Sequence, residues 1–560
     1  MSDPVQEPQS PVVAKKLNPK NAKVIALVSI LVVVVAAVVV MSVVLATRRG
    51  SQSFSKGFTT EVSGRDCTIT AYSGEDTNVK IPASINGKKV SAIAKGAFAQ
   101  SKSIENIEFS DSISKLDIGE GAFEGLTKLQ YVKLPDASVT IGNNAFKGCT
   151  QMTHIVLPSG LTSIGEGAFA NTTNLKYTGS GPDENDQAVV LPANLTSIGK
   201  EAFLKCTALL NVQVNDNLTS VGEGAFESSG LKTFAMSASS KLTVLGDRAF
   251  YGANIASGQE TPFDFVNITS IGNEAFAACR SNFTHIVLPK TIKAIGDEAF
   301  AGARSLRSVK FASDSEAILG KGIFQGCTQL RETTLSESLK ELPERMFAGC
   351  YYLLYDNDFQ IGKNIEKIGD GALSLFYGQT TSSRTSYLNK RVTVHAENER
   401  FVVFELAECW YSSNDGQSET KRTQTVLMSA DKKELIAYFG AFDENCYYKT
   451  QDGRKSQIFK LTEGSEKFWE EIETIRGYAF AGVRAANIYV PPHVNRIGDY
   501  AFAGADIDTV YFEGGNCTLS DETFSDMGED LIVCVRGGAD GTIKEYVLRK
   551  GIAFQGHTIS

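Results

Sequence analysis

Residues 152–175 read Met-Thr-His-Ile-Val-Leu-Pro-Ser-Gly-Leu-Thr-Ser-Ile-Gly-Glu-Gly-Ala-Phe-Ala-Asn-Thr-Thr-Asn-Leu. Ile155 and Leu157 stand two apart, so an extended segment turns both to one face and turns His154 and Val156 to the other. Pro158 has no amide proton and ends the strand. A second short extended piece carries Leu161 and Ile164 inward, and Gly165 marks a tight turn or a close approach to a neighbour. Ala168 and Phe169 then open a helical or 3₁₀ turn whose ring fills the coil, and Leu175 starts the next copy. A unit this small cannot bury its apolar face alone, so stacked neighbours must supply the core.

The phrase recurs along the chain. Its aromatic falls at Phe98, Phe123, Phe146, Phe169, Phe203, Phe226, Phe250, Phe276, Phe300, Phe324 and Phe347, degenerates at Leu373, and resumes at Phe480, Phe502 and Phe524. The usual step, 22 to 26 residues with one of 34, is too short for paired-helix repeats and fits the roughly 20–29 residues of leucine-rich repeats. The fold expected is a repeat solenoid, a leucine-rich repeat array of short parallel β-strands with helical or 3₁₀ turns. The repeated Phe is scaffold, and Phe→Ala inside such a ladder is expected to cost about 3–5 kcal/mol.

The pattern closely resembles the BspA-like leucine-rich repeats, whose hallmark is L-x-x-I-x-I-P-x-x-V-x-x-I-G-x-x-A-F-x-x-C, and the likeness covers most of residues 85 to 535. The resemblance implies a surface-exposed or secreted protein acting in adhesion and protein binding, with no partner named.

Val24 to Ala46 is an unbroken apolar stretch with only Ser29 and Ser42 as polar members. It is long enough for a bilayer, which needs roughly 20 helical residues, and too long for a cleavable signal's apolar region of about 7–15. It is read as a transmembrane helix, an uncleaved signal anchor preceding the solenoid. Lys15, Lys16, Lys20 and Lys23 on one side nearly balance Arg48, Arg49, Lys56 and Arg65 on the other. The short charged amino tail should still resist translocation, which puts the solenoid outside. The organisation expected is a disordered cytoplasmic tail (1–23), the span (24–46), a linker (47–60), the array (61–377), a β-rich insertion or expanded repeat (378–470), and C-terminal repeats with a cap (471–560).

The formal net charge is −9, and six bases against two acids lie in the first 49 residues, so the remainder is more acidic still. Nucleic-acid binding, which favours clustered basic surface, is not expected. The five His show no metal-ligand spacing, and the Gly-Glu-Gly phrases recur with the repeat and lack a P-loop Lys. No cofactor, metal or catalysis is expected. Six Asn-x-Ser/Thr sequons, at Asn171, Asn194, Asn217, Asn267, Asn282 and Asn516, matter only in a glycosylating host.

Cys149, Cys206, Cys279, Cys327 and Cys350 each lie three residues after the repeat Phe, a slot that elsewhere holds Ser101, Leu126, Thr172 or Ala303. They are read as a buried ladder of small side chains. Cys409 with Cys446 and Cys517 with Cys534 are candidate disulfide pairs. In the insertion, residues 391–405 and 425–439 alternate apolar side chains around an Asp-Lys-Lys turn and read as strands and a hairpin. The polar run Ser412 to Gln424 reads as a loop tip, and the insertion is expected to open before the coils of 91–376.

Function is then expected on exposed faces, where the stacked Leu-x-x-Val-x-Leu strands should form one continuous sheet with an outward binding column. From that column the candidate residues are Tyr131, Lys133, His154, His285, Lys310, Tyr489 and Tyr511, since aromatic anchors tend to dominate interfaces. The partners expected are the membrane and a protein or surface-glycan ligand. The competing readings are a structural envelope protein or a cytoplasmic membrane-tethered scaffold.

Overall fold

Each coil contributes two short strands and a turn, because the Leu-x-x-Val-x-Leu and Leu-x-x-Ile-Gly phrases each place apolar residues on one side of an extended backbone. A computed structural model describes residues 56–176, 188–255, 265–279, 284–355, 359–374, 392–412, 419–439, 446–449, 455–456, 471–528, 530–536 and 541–557. The Val24–Ala46 span, the tail before it and most of the linker lie outside the described residues. Among the described residues no helix is long and apolar enough to cross a membrane.

The repeat aromatics form a continuous ladder. Phe146, Phe169, Phe203, Phe226 and Phe250 stack with ring centroids 5.2–5.5 Å apart and are fully buried. The same stacking resumes through Phe480, Phe502 and Phe524. The ladder is closed at its start by Phe58, 5.1 Å from Tyr72, which stacks on Phe98 at 5.4 Å. At its end the helix Thr542–Arg549 buries Ile543, Tyr546 and Val547, with Tyr546 6.2 Å from Phe524.

The segment around the ring is not the helix or 3₁₀ turn expected. It is a pair of tight turns, with Ala168 N donating to Gly165 O (3.3 Å) and Ala170 N to Gly167 O (2.9 Å). The residues two before and two after the ring take left-handed backbone, as Gly167 (φ 61°) and Asn171 (φ 59°) show, and each reversal stops helix propagation. Gly165 serves another purpose: its φ is ordinary, but a Cβ there would lie 2.6 Å from the backbone carbon of Gly142 in the preceding coil. Of the two roles left open for it, close approach is the one observed.

The strands of the second type form the long sheet, running in parallel from Asp66–Tyr72 through Leu161–Ile164 and Ser220–Val221 to Ile318–Leu319. Those of the first type, by contrast, form separate sheets of four, three and three strands among the described residues, with further pieces towards the C-terminus. The breaks between these sheets fall at 177–187 and 256–264, outside the described residues, so the continuous column expected there is traced only within each sheet.

The insertion is built into the array. Thr393–Val394 pairs in parallel with Gln360–Ile361, and Glu434–Phe439 pairs in parallel with Thr474–Ile475. The hairpin of Glu419–Ser429 and Glu434–Phe439 is buried on both faces over Thr425–Met428 and Leu435–Phe439. Leu427, Ile436, Ala437 and Phe439 join one hydrophobic core, while Val426, Met428, Leu435 and Tyr438 join the next. The hairpin is a partition between two cores rather than a peripheral subdomain. The loop expected over Ser412–Gln424 is shorter than read, since antiparallel pairing extends to Ser412↔Glu419.

Candidate interaction surface

Strands Asn78–Ile81, Asn106–Phe109, Tyr131–Lys133 and His154–Val156 lie side by side as one parallel sheet. Their central residues Val79, Ile107, Val132 and Ile155 are buried, which turns the flanking positions outward. Parallel register then builds two outward rows: Asn78, Asn106, Tyr131, His154, and Lys80, Glu108, Lys133, Val156.

In the first row Asn106 Nδ2 donates to Asn78 Oδ1, and the Tyr131 and His154 rings meet at 4.5 Å with a 33° tilt. His154 Nδ1 lies 3.0 Å from Thr153 Oγ1. Burial pushes the imidazole below its ordinary pKa, so it is neutral at pH 7. Burial, then the nearby Glu108 and Asp111 charges, push the Tyr131 phenol up. In the second row Lys133 is held by Asp111 at 2.8 Å, and Lys80 lies 4.0 Å from Glu108. The result is an uncharged aromatic pair beside charges that already neutralise one another.

The other candidates stand elsewhere. His285 and Lys310 share the sheet of His285–Leu288, Ser308–Phe311 and Glu332–Thr334, but in register His285 faces Ser308 and Lys310 faces Val287. His285 is exposed, with Nδ1 2.9 Å from Thr284 Oγ1. Tyr489 and Tyr511 are register partners on a third sheet, with rings stacked 4.6 Å apart at 10°. Among the described residues the seven thus stand on three stretches of sheet.

Cys534 continues the tyrosine row, being the register partner of Tyr511. The expected Cys517–Cys534 disulfide is not formed. Both are buried free thiols, and they belong to different sheets of the coil: Cys534 to the tyrosine-bearing sheet, Cys517 to the lead-in to Thr518–Leu519 in the other. Cys446 sits opposite Tyr411 in the insertion's sheet, one register pair away from Trp410↔Tyr447, while Cys409 faces Arg422. The side chains of Cys409 and Cys446 lie outside the description.

Two features went unread in the sequence. The slot three residues after the ring is a hydrogen-bond donor slot as well as a buried one. The Sγ of Cys149, Cys206, Cys279, Cys327 and Cys350 lies 3.1–3.2 Å from the carbonyl oxygen of the ring residue one coil earlier. Thr172 and Ser101 donate in the same way, at 3.1 and 3.0 Å. The occurrence of Ser, Thr and Cys in one slot was the available signal. The second feature is the outer face of the long sheet, lined by Thr196, Thr219, Thr243 and Thr269. From Thr219 onward each of these hydroxyls donates to the carbonyl of the threonine before it, at 3.0–3.3 Å. The recurring Thr-Ser before Ile-Gly announced it.

Three sequon asparagines are spent on similar bonds: Asn194, Asn217 and Asn267 donate their amides to Ser159 O, Ala193 O and Ser240 O at 2.7–3.0 Å. Asn282 lies outside the described residues. Among the described residues no group of three or more His, Cys, Asp or Glu converges as a metal site would require.

Among solved structures, the chain is similar to a leucine-rich repeat protein from Bacteroides ovatus, at 16% identity, 91% of this chain and 100% of that one, TM-score 0.45. It is similar also to a leucine rich cell surface protein from Faecalibacterium prausnitzii, at 21% identity, 61% and 94% coverage, TM-score 0.39. A third is the pneumococcal vaccine antigen PcpA, at 14% identity, 91% and 99% coverage, TM-score 0.37. No curated protein matches. The family model for the BspA type leucine rich repeat region matches residues 71–181, 183–261, 259–382 and 456–530, more than half of the sequence, and the chain belongs to that family.

Proposed function

We propose that this is a membrane-anchored cell-surface protein that binds a protein or surface-glycan ligand through the outward rows of its first-type strands, without catalysis. The anchor is the Val24–Ala46 span, whose length and apolar composition suit a bilayer. The observation that carries the binding surface is the Tyr131–His154 pair, an uncharged aromatic contact held rigidly on a sheet beside self-neutralised charges. Rigid aromatic groups lose little entropy on binding and supply much of the area of interface anchors. The experiment is simultaneous replacement of Tyr131, His154 and His285 by Ser, followed by binding to an extracellular ligand obtained by screening the wild-type protein. Loss of binding with an unchanged circular dichroism spectrum supports the surface; unchanged binding removes it.

A second reading is a cytoplasmic membrane-tethered scaffold. It is favoured by one observation: Cys67, Cys149, Cys206, Cys279, Cys327, Cys350, Cys517 and Cys534 are all free thiols, the state usual in reducing compartments.

A further inference from the structure

The long sheet stops at Ile318–Leu319, although the chain goes on to the next coil at Glu341–Leu342. The glycine of the Ile-Gly phrase explains the stop. In successive coils its amide donates to the preceding strand, as in Gly296 N to Ile271 O (2.8 Å), Gly320 N to Ile295 O (2.8 Å) and Gly369 N to Leu342 O (2.7 Å). In the coil between the last two, the residue is Pro343, which has no amide proton. Arg476 and Ser520 also replace this glycine, yet keep the bond at 2.9 and 3.1 Å, so the missing proton and not the added Cβ distinguishes proline.

The consequence is local. Glu337 N still donates to Ser313 O (3.0 Å), Gly322 N to Glu344 O (2.7 Å), and Phe324 stacks on Phe347 at 5.8 Å. Between these ties residues 338–343 stand off from 316–320 and leave a cleft of about 700 Å³. The ladder bonds that Ala317 O and Leu319 O would accept are absent, as are those that Lys340 N and Glu341 N would donate. Ile318 is 76% exposed, and Leu319 and Leu339 are half-buried where their counterparts Ile295 and Ile292 are buried. Most rim charges are already matched: Lys321 with Glu344, Lys340 with Glu366, Lys367 with Glu341, Arg476 with Asp370.

We propose that this cleft is a docking slot for an extended peptide segment of a partner protein, which pairs its backbone with the open edge at Ala317–Leu319 and lays an apolar side chain on Ile318. A peptide is the occupant the exposed groups select. Strand-edge acceptors and donors are satisfied by amides in extended conformation, and unpaired edges recruit strands. Rim charges that neutralise each other favour an uncharged segment over an ionic ligand. The slot is separate from the Tyr131–His154 rows, and its test is independent of where the protein resides.

The probe is a phage-displayed library of random linear dodecapeptides, panned on the purified full-length chain with the Pro343→Gly protein as the counter-selection surface. Glycine restores the amide and closes the ladder. The expected result is enrichment of peptides with alternating apolar residues whose affinity falls about tenfold or more on Pro343→Gly and on Ile318→Asp. N-methylation of alternate amides in those peptides should abolish binding. Ile318→Asp lies on the surface and decides the matter should Pro343→Gly fail to fold. The proposal is overturned if nothing is enriched over the counter-selection surface, or if selected peptides bind both variants as tightly as wild type.

Discussion

The phrase Gly222-Glu223-Gly224 contains two glycines required for different reasons, and alanine at each should separate them. A Cβ on Gly222 would stand 2.8 Å from Gly199 C and Lys200 N and 2.9 Å from Ile198 O, all backbone of the preceding coil. Contacts this short against backbone are relieved only by moving one coil off the other, which stretches the Gly222 N to Ile198 O bond, now 2.9 Å. Overpacking of this kind costs about 1–3 kcal/mol, and with rigid atoms on both sides the upper part of that range applies. Gly224 has φ 57°, and a Cβ there would approach nothing closer than Glu201 Cγ at 3.3 Å. Its cost is left-handed strain alone, about 1 kcal/mol. Glu201 (φ 53°) and Arg248 (φ 55°) occupy the equivalent positions of adjacent coils and show that the strain is tolerated. The assay is urea denaturation of Gly222→Ala, Gly224→Ala and a Glu223→Ala control, compared by midpoint at common m-value. Gly222→Ala should be the less stable glycine variant by at least about 1 kcal/mol. Equal costs, or a larger cost at Gly224, would refute the close-approach reasoning.

Burial pushes the thiols of Cys149, Cys206, Cys279 and Cys327 up to about 12. They should therefore not react with a thiol reagent at pH 8 in the native state and should react at once in denaturant. His154 has a folded pKa below its unfolded value. Its neutral form is fully compatible with the fold above the unfolded pKa, and the unfolded state binds the extra proton as pH falls, so this residue's stabilising contribution declines on acidification below about 6.5. An NMR titration should show the His154 ring protonating below the ordinary imidazole pKa of about 6.5, and protonation at or above that value would contradict the burial argument. Hydrogen exchange should show the hairpin strands at 425–429 and 434–439 as well protected as the coils around Phe146, because both faces of the hairpin are covered. Fast exchange there would restore the expectation that the insertion opens first.

The parts of the fold legible in the sequence are those expressed by a repeating residue. Phe169 and its counterparts recur at a nearly fixed step, so the ladder and the solenoid follow from periodicity. Gly165 also recurs, but recurrence does not distinguish a left-handed turn from a close approach; here the left-handed positions are Gly167 and Asn171, where residue type varies from coil to coil. The long sheet is not legible in the sequence because its strands, such as Ser220–Val221, are too short to display an alternation of period two. The Tyr131–His154 pairing is legible because both stand at one place in adjacent copies. The hairpin's role was hidden by its composition: Leu427 and Met428 are both apolar neighbours, and nothing in the sequence says that they enter different cores. Pro343 was visible as a departure from Ile-Gly, but its meaning depends on the amide bond that its neighbours make.

The claim on which the account depends most is that the solenoid faces the outside of the cell, and protease shaving of intact cells with mass-spectrometric mapping of the released fragments tests it directly. The account predicts release of peptides from residues 57 to 560 while the Lys15–Lys23 tail stays protected. Protection of the solenoid until the cells are opened would contradict it and leave the cytoplasmic scaffold in its place.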